Sequence, residues 1–156
     1  MPKPVVHIYS DGACSPNPGL GGWAAVLPSP GHGDRRREMS GAVPDTTNNR
    51  MELLAAVKAF EALKKPCTVT FHTDSRYLRD AFEKQWLDKW QRNGWRTATK
   101  DPVKNEDLWR ELLTRTAPHD VSWVWVRGHH TDPENNRCDE LAVRAREAYH
   151  RAHTKR

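Results

Sequence analysis

Short apolar runs separated by turn-forming residues predict five β-strands. Residues 5–10 form a β-branched and aromatic run, and residues 21–27 are the second strand candidate. Residues 35–43 are polar enough for an edge strand, and the segment before them, rich in Pro and Gly, suits a hairpin loop. Residues 68–73 and 121–126 are the fourth and fifth strands. Because Val and Trp occupy both faces of the fifth strand, we expect it to be buried on both sides.

Two helices are predicted from apolar positions at helical spacing. The first begins near residues 47–48 and ends before residues 64–66, where two lysines and a proline suit a helix C-terminus. The second begins at residues 132–134, with an aspartate as N-cap and proline at the first helical position. Their apolar stripes are Leu53, Ala56, Val57, Phe60 and Leu63 in the first helix, and Cys138, Leu141, Ala142, Ala145 and Tyr149 in the last.

The order of these elements predicts an α/β fold. Three strands are followed by a helix, a strand, a helical middle segment, a strand and a final helix. Strands joined through helices pair in parallel by right-handed crossovers, whereas the first three can form a meander. We therefore expect a single domain over residues 1–156, with a five-stranded mixed sheet and helices on both faces. A short polar C-terminal tail is expected at about residues 151–156.

Composition narrows the class of protein. The 156 residues suit one folded domain, and 25 basic against 20 acidic residues give a formal charge of +5, which favours a polyanionic partner. No apolar run approaches the roughly 18 residues of a membrane span, and the N-terminus has no secretory pattern. Three widely spaced cysteines favour a reducing cytoplasm over a disulfide framework.

Four acidic residues are candidates for a metal site. Asp11 and Asp74 each come just after an apolar strand, so both carboxylates would project into the crevice where open α/β sheets bind ligands. Glu52 and Asp139 lie in the first turns of helices that can lean over this crevice. Grouped carboxylates repel one another unless a cation is present, and oxygen ligands suit Mg²⁺ or Mn²⁺. Taken singly, each acid is better explained as a capping or surface residue.

Five sequence blocks resemble those of bacterial type 1 ribonuclease H. They are YSDGAC followed by NPG (residues 9–14 and 17–19), TTNNRMEL (46–53), TDS (73–75), VRGH (126–129) and NRCDELA (136–142). The blocks occur in the order of that family, at its separations, and they cover nearly the whole chain. The resemblance implies a ribonuclease H-like fold and a hydrolase that acts on nucleic acid.

The resemblance also implies the reaction and the residues that carry it. The family hydrolyses the RNA strand of RNA/DNA hybrids by metal-assisted attack of water, leaving 5′-phosphate and 3′-hydroxyl ends. Mg²⁺ is its cofactor, with Mn²⁺ as a substitute and two ions in the substrate complex. Its metal-binding acids fall on Asp11, Glu52, Asp74 and Asp139, the last of which binds metal or orients the attacking water. Its loop histidine falls on His129, for proton transfer or product departure.

Substrate contacts are implied near the first two blocks. Family groups near Cys14, Asn17, Asn48 and Asn49 lie in the minor groove, where Asn amides both donate and accept hydrogen bonds and the RNA 2′-hydroxyl is exposed. Thr47 matches a residue that helps to hold a DNA-strand phosphate at a helix N-terminus. Outside the family, these residues would be interpreted as caps and turn residues.

Residues 76–104 resemble the basic protrusion of the family, a helical handle over the hybrid. Eight basic against four acidic residues leave this segment with a charge of +4. Basic and aromatic residues interleave, which suits phosphate contacts combined with stacking, although some of the Trp side chains could instead pack inside the fold. Arg76 departs from the glutamine that relatives often carry, so its contact would become a charge pair with phosphate. The expected contacts are Arg76, Lys84, Trp86, Lys89, Trp90, Arg92 and Trp95.

Two other functions stay open from the sequence. A nuclease of the same fold acting on another duplex would still need the four acids. A non-catalytic hybrid-binding module would use the handle without metal, but four carboxylates facing a phosphate backbone would weaken its binding. The expected partner is an RNA/DNA hybrid, with no membrane, and the chain is expected to be a monomer. Recruitment by replication or repair proteins is not readable from the sequence.

Overall fold

The computed structural model describes residues 3–28, 36–126 and 132–154. No helix in these three ranges is long and apolar enough to cross a membrane. The strands are β1 (Val5–Cys14), β2 (Gly19–Pro28), β3 (Arg36–Thr46), β4 (Thr68–Thr73) and β5 (Asp120–Trp125). The helices are α1 (Asn48–Glu61), α2 (Arg76–Glu83), α3 (Trp86–Asn93), α4 (Glu106–Thr116) and α5 (Pro133–Thr154).

The five strands form one mixed sheet in the order β3-β2-β1-β4-β5. The first three strands pair antiparallel. Strand β4 pairs parallel with β1, and β5 pairs parallel with β4. This is the predicted meander with two parallel strands, and β3 is an edge strand as its polar composition indicated. The expected hairpin loop between β2 and β3 falls on residues 29–35, which lie outside the described residues.

Helices cover both faces of the sheet, as predicted. Side chains of neighbouring strand residues point to opposite faces, and Gly21 of β2 lies against Met51 of α1 whereas Gly22 lies against Ala142 of α5. Helix α1 is itself packed against α4, and it is therefore buried on more than the predicted stripe. The core between the sheet, α1 and the helices beyond it includes Ile8, Leu53, Phe60, Phe71, Leu78, Trp109 and Leu112, all of them 0–1% exposed.

Two glycines allow the helices to approach the sheet closely. A Cβ on Gly12 would lie 2.6 Å from the backbone nitrogen of Glu52, closer than any side chain tolerates, so glycine permits α1 to cross β1 at this point. On the opposite face, a Cβ on Gly22 would overlap the carbonyl oxygen of Ala142 in α5. Both contacts position residues that the sequence identified as candidate ligands, since Glu52 lies on α1 and Asp139 on α5.

The prediction that β5 is buried on both sides is wrong. Its residues alternate between exposed and half-buried, and Val124 is 39% exposed. Trp123 faces the core, where its ring lies 4.8 Å from that of Phe71 and 4.3 Å from that of Phe82. The other face stays open because β5 is the last strand of the sheet and α5 packs over β1, β2 and β3.

The C-terminal helix is longer than expected. Helix α5 continues to Thr154, so residues 151–154 of the expected polar tail are helical, although they are exposed. Its start agrees with the prediction, since Oδ1 of Asp132 accepts hydrogen bonds from the backbone nitrogens of Glu134 (2.9 Å) and Asn135 (3.2 Å).

Replacing Gly22 by alanine is expected to lower the free energy of unfolding by about 1–3 kcal/mol, because the added methyl group forces α5 away from the sheet. Urea denaturation of the variant and of the wild type measures the difference. A Gly22→Ala protein as stable as the wild type would contradict the close packing of α5.

Candidate active site

Three carboxylates converge where β1 and β4 separate. Parallel pairing of the two strands ends at Tyr9 and His72, while β1 continues beside β2 as far as Cys14. The sequence suggested that Asp11 follows its strand, but Asp11 lies within β1. It is nevertheless two residues beyond the last parallel pair. Asp74 directly follows β4. Both side chains thus reach the crevice at the end of the parallel pair.

The third carboxylate is supplied by α1. The helix begins at Asn48, and the hydroxyl of Thr47 caps it by accepting a hydrogen bond from the backbone nitrogen of Arg50 at 3.1 Å. Glu52 follows within the first two turns, next to the crossing of α1 over β1 at Gly12. One carboxylate oxygen each from Asp11, Glu52 and Asp74 can be chosen so that all three lie within 4.8 Å of one another.

Burial and mutual repulsion favour protonated acids in this cluster. Asp11 and Glu52 are only 7% and 6% exposed. Burial raises the pKa of Asp11 from 3.8 to about 8, with the charges of Asp74 and Asp139 acting in the same direction, against a lowering by the backbone N–H of Gly12. Burial and the charges of Asp11 and Asp74 raise the pKa of Glu52 well above its ordinary value.

The cluster fits a divalent cation. Oε2 of Glu52 is buried and has no hydrogen-bond partner among the described residues. A buried carboxylate oxygen without a partner costs free energy, and a cation bound to it removes that cost. All three donors are oxygens, the ligands that Mg²⁺ and Mn²⁺ prefer. The residues present therefore match the metal dependence of the family that the sequence resembles.

Of the two remaining expected catalytic residues, Asp139 and His129, the structure describes only Asp139. Asp139 is exposed on α5 and lies beside the cluster, close enough for its charge and hydrogen bonding to raise the pKa of Asp11. His129 lies outside the described residues.

Three of the four expected minor-groove residues and the expected phosphate-binding Thr47 gather in one surface depression. Asn17, Thr47, Asn48 and Asn49 line it, and its volume is about 550 Å³. The side-chain oxygen of Asn17 accepts a hydrogen bond from the backbone nitrogen of Asn48 at 3.1 Å, which holds the loop after β1 against α1. The thiol of Cys14 donates to the carbonyl oxygens of Pro16 and Thr46. These two residues directly precede Asn17 and Thr47, which line the depression.

The opposite wall of the depression consists of residues that no sequence motif indicated. Tyr77, Lys104 and Asn105 complete it. The hydroxyl of Tyr77 accepts hydrogen bonds from Nε1 of Trp109 (3.0 Å) and Nδ2 of Asn105 (3.1 Å). These contacts join residues about 30 positions apart, and no local pattern in the chain signals them.

A second missed group connects α1 to α4. Arg50 donates to both carboxylate oxygens of Asp107, at 2.9 and 2.6 Å, and also to the side-chain oxygen of Asn105 at 3.3 Å. A bidentate pair of this kind fixes orientation as well as distance. Arg50 lies inside the TTNNRMEL block, two residues before Glu52, so its place in that motif was the available signal.

The handle consists of α2, α3 and the segment that follows them. Arg76, Lys84, Lys89 and Arg92 are exposed on it. Lys84 pairs with Asp80 at 3.7 Å and lies 5.6 Å from the ring centre of Trp86. Within the described residues, Lys89 and Arg92 have no carboxylate within 4.0 Å, so both charges are available for phosphate.

The Trp residues of the handle divide into two kinds. Trp86 and Trp90 are half-buried and line a pocket of about 380 Å³ together with Lys89. Trp95 is only 5% exposed, and the guanidinium of Arg110 covers its ring at 4.7 Å. The chain reverses after α3 at Gly94 and turns Trp95 onto α4. The substrate contact expected for Trp95 does not fit this burial, and its role is in the core.

Comparison with known proteins identifies the family. The family model described as RNase H matches residues 3–147. The chain belongs to the ribonuclease H family. It is 58% identical to the Ribonuclease H of Moorella thermoacetica over 137 residues, which cover 88% of either chain. It is 55% identical to the Ribonuclease H of Acidiphilium cryptum over 147 residues, 94% of this chain and 89% of that one.

Solved structures show the same fold. LC9-RNase H1, a type 1 RNase H with the type 2 active-site motif, matches with a TM-score of 0.81 and 32% identity, covering 95% of this chain and 74% of that one. LC11-RNase H1 in complex with RNA/DNA hybrid matches with a TM-score of 0.70 and 21% identity, covering 92% and 98%. The predicted family and ribonuclease H-like fold are confirmed.

The raised pKa of Asp11 predicts how metal-free stability depends on pH. Its ordinary pKa is 3.8 and its folded pKa is about 8, so the native state binds a proton that the unfolded chain has released. The free energy of unfolding in EDTA is therefore expected to fall as pH rises from about 4 to about 8. Asp74→Asn removes a like charge, and its stability advantage over the wild type should grow across this window.

Chemical denaturation at several pH values in EDTA measures this difference. Glu147→Gln, which neutralises an exposed acid on α5, is the control and should follow the wild-type curve. Parallel curves for the wild type and Asp74→Asn would show that Asp74 does not act on the pKa of Asp11.

Proposed function

We propose that this protein is an endonuclease that hydrolyses the RNA strand of RNA/DNA hybrids and leaves 5′-phosphate and 3′-hydroxyl ends. The observation that carries the proposal is the cluster of Asp11, Glu52 and Asp74, with its buried and unpartnered Glu52 oxygen. Relatives 55–58% identical over most of the chain are named Ribonuclease H. A solved structure of the same fold is in complex with RNA/DNA hybrid.

The proposed cofactor is Mg²⁺, with Mn²⁺ as a substitute and two ions in the substrate complex. Asp11, Glu52 and Asp74 would hold the cations, with Asp139 as the fourth ligand. Divalent cations bound to such carboxylates make water a nucleophile at neutral pH and neutralise the charge that develops on the phosphodiester. Because the pKa of Asp11 is about 8 without metal, protons and cations compete for this carboxylate near neutral pH.

Asp139 and His129 are proposed to handle water and protons. Asp139 is exposed and lies beside Asp11, which suits a carboxylate that orients the attacking water. His129 is proposed to transfer a proton or to assist product departure, since an imidazole titrates near neutral pH.

The depression beside the cluster is proposed to hold the minor groove of the hybrid. Asn17, Asn48 and Asn49 line it, and their amides can donate to and accept from the 2′-hydroxyl of RNA. Thr47, at the N-terminus of α1, is proposed to hold a DNA-strand phosphate, because helix N-termini favour anions. Cys14 is proposed to contact the same groove from β1.

The handle is proposed to bind phosphates through Arg76, Lys84, Lys89 and Arg92. Trp86 and Trp90 flank these cations and offer flat surfaces for sugar packing. The proposal includes action as a monomer. It also includes a location in the cytoplasm, because three free and separated cysteines favour a reducing compartment.

Asp74→Asn is expected to reduce cleavage of the hybrid by about a thousandfold, the scale of several kcal/mol of lost electrostatic stabilisation. Binding of the hybrid should stay near the wild-type level or improve, because a like charge is removed. The assay uses duplexes labelled on one strand as RNA/DNA, RNA/RNA and DNA/DNA, with Mg²⁺ or EDTA. Asp120→Asn neutralises an exposed acid at the opposite end of the sheet and should cleave like the wild type.

Three other outcomes would contradict the proposed substrate, the proposed catalysis or the proposed role of Asp74. Cleavage of RNA/RNA or DNA/DNA by the wild type would indicate a nuclease for another duplex. Binding of the hybrid without cleavage in Mg²⁺ or Mn²⁺ would indicate a non-catalytic module. Cleavage by Asp74→Asn at the wild-type rate would remove Asp74 from the proposed site.

Replacing Lys89 and Arg92 together by alanine is expected to weaken hybrid binding. The slope of log affinity against log salt concentration should fall in magnitude by roughly 1–2, since two phosphate contacts and their released counterions are lost. Lys64 and Lys65 are the matched control, because they are exposed and precede β4, at the opposite end of the sheet from the acids. An unchanged slope in the handle variant would exclude Lys89 and Arg92 from phosphate binding.

A further inference from the structure

The start of α4 carries an asparagine in an unusual backbone conformation. Asn105 occupies the N-cap position of α4 with φ 60° and ψ 28°, in the left-handed region that residues with a Cβ seldom adopt. An asparagine at an N-cap ordinarily accepts a hydrogen bond from a backbone nitrogen of the first helical turn. The side chain of Asn105 makes no such bond. Helix capping therefore does not explain this residue, and its amide takes part in tertiary contacts instead.

Arg50 fixes the orientation of that amide. Nη1 of Arg50 donates to Oδ1 of Asn105 at 3.3 Å, and Nδ2 of Asn105 donates to the hydroxyl of Tyr77 at 3.1 Å. A guanidinium group has donors and no acceptor, so the amide oxygen must face Arg50. The flipped amide would place two donors against each other. The amide nitrogen is therefore held on the side of Tyr77, which lines the depression beside the acids.

The amide nitrogen of Asn105 keeps a free donor at the depression. The hydroxyl of Tyr77 is saturated, because it accepts from Asn105 and from Nε1 of Trp109 and lies 3.5 Å from the carbonyl oxygen of Lys104. An amide nitrogen has two hydrogens, and the described residues supply an acceptor for one of them. Asn105 is half-buried and lines the depression. Its second N–H is thus available to a ligand there.

Arg50 also fixes the distance between the two walls of the depression. Its bidentate pair with Asp107, at 2.9 and 2.6 Å, joins the start of α1 to the start of α4. The same hydrogen bonding holds the pKa of the Asp107 carboxyl below its usual value. A second ion pair, between Arg115 and Glu61 at 3.5 Å, joins the far ends of the same two helices. The first pair lies at the depression, and the second is distant from it.

We propose that Arg50 is a positioning residue, which acts through Asn105 to direct an amide N–H at an acceptor oxygen of the nucleic-acid strand bound in the depression. The proposal rests on the proposed function, since the strand is part of the RNA/DNA hybrid. Arg50 lies only two residues before Glu52 in α1. The same helix therefore carries a ligand of the proposed metal site and the residue that orients a substrate donor.

Steady-state cleavage of the hybrid by Arg50→Ala, Asn105→Gly and the double variant tests whether one residue acts through the other. Glycine adopts a φ of 60° without strain and lacks the amide. Each single variant is expected to raise KM roughly tenfold, the scale of one lost hydrogen bond to a charged or polar group, with kcat near the wild-type value. The double variant should resemble Asn105→Gly, because the two changes remove the same contact.

Asn105→Asp separates the substrate contact from a structural role. The aspartate keeps an acceptor for Arg50 and tolerates the left-handed conformation, but it replaces the N–H donor by a carboxylate oxygen. Urea denaturation should show a protein at least as stable as the wild type, whereas KM should rise by at least roughly tenfold. A wild-type KM in Asn105→Asp would show that this N–H does not contact the substrate.

Arg115→Ala is the matched control. It removes the other ion pair between α1 and α4, from an exposed residue far from the depression, and should leave KM unchanged. Hybrid affinity in EDTA is measured for every variant and should follow the changes in KM. If the wild type does not cleave the hybrid, the proposed function fails, while these affinities still test the positioning role.

Three results would overturn the proposal. These are additive effects of Arg50→Ala and Asn105→Gly, a fall in kcat without a change in KM for Arg50→Ala, and an equal rise of KM in Arg115→Ala. Arg50→Lys replaces Arg50→Ala if the latter does not fold, since lysine keeps the charge but lacks the fork that reaches two partners. In the wild type, the side-chain amide resonances of Asn105 should shift when hybrid is added in EDTA, and unchanged resonances would equally reject the contact.

Discussion

The electrostatic repulsion among three clustered carboxylates, two of them buried and one half-buried, is the constraint on which the rest of the structure depends. Asp11, Glu52 and Asp74 present oxygens within 4.8 Å of one another, and burial raises the pKa of the first two. Nothing in the local chain favours this arrangement. Parallel pairing of β1 with β4 and the close crossing of α1 at Gly12 enforce it, and the packed core beneath α1 supplies the free energy that keeps the acids together.

The same constraint explains the uneven distribution of charge. A negative site would repel the phosphates of a nucleic acid, yet the chain carries a net charge of +5. The segment 76–104 alone contributes +4, and its exposed lysines and arginines lie on α2, on α3 and after them, whereas the clustered acids belong to β1, to α1 and to the end of β4. In the proposed function the handle attracts the polyanion, while cations bound by the acids make local approach of a phosphate favourable. The negative and positive regions therefore act at different distances.

Local signals predicted most of the elements, and long-range contacts decided the rest. The cap at Thr47, the start of α5 and the β4 boundaries follow from patterns within a few residues. Burial of β5 depends on how far α5 extends across the sheet, which no local pattern shows. Likewise, Trp95 belongs to the core because α4 lies beneath it. The wall of the depression formed by Tyr77 and Asn105 also depends on tertiary packing. The motif blocks located the acids although Asp11 proved to lie inside its strand.

One strand face carries two kinds of donor in succession. Along β1, His7, Tyr9 and Asp11 occupy alternate positions and so share a face. On β4 and just beyond it, His72 and Asp74 have the same spacing. Two residues of strand span about 6.6 Å, so nitrogen and oxygen donors lie too far apart for one ion and near enough for their charges to interact. A cation at this end of the sheet is therefore held by carboxylate oxygens alone, which are the ligands that Mg²⁺ and Mn²⁺ prefer.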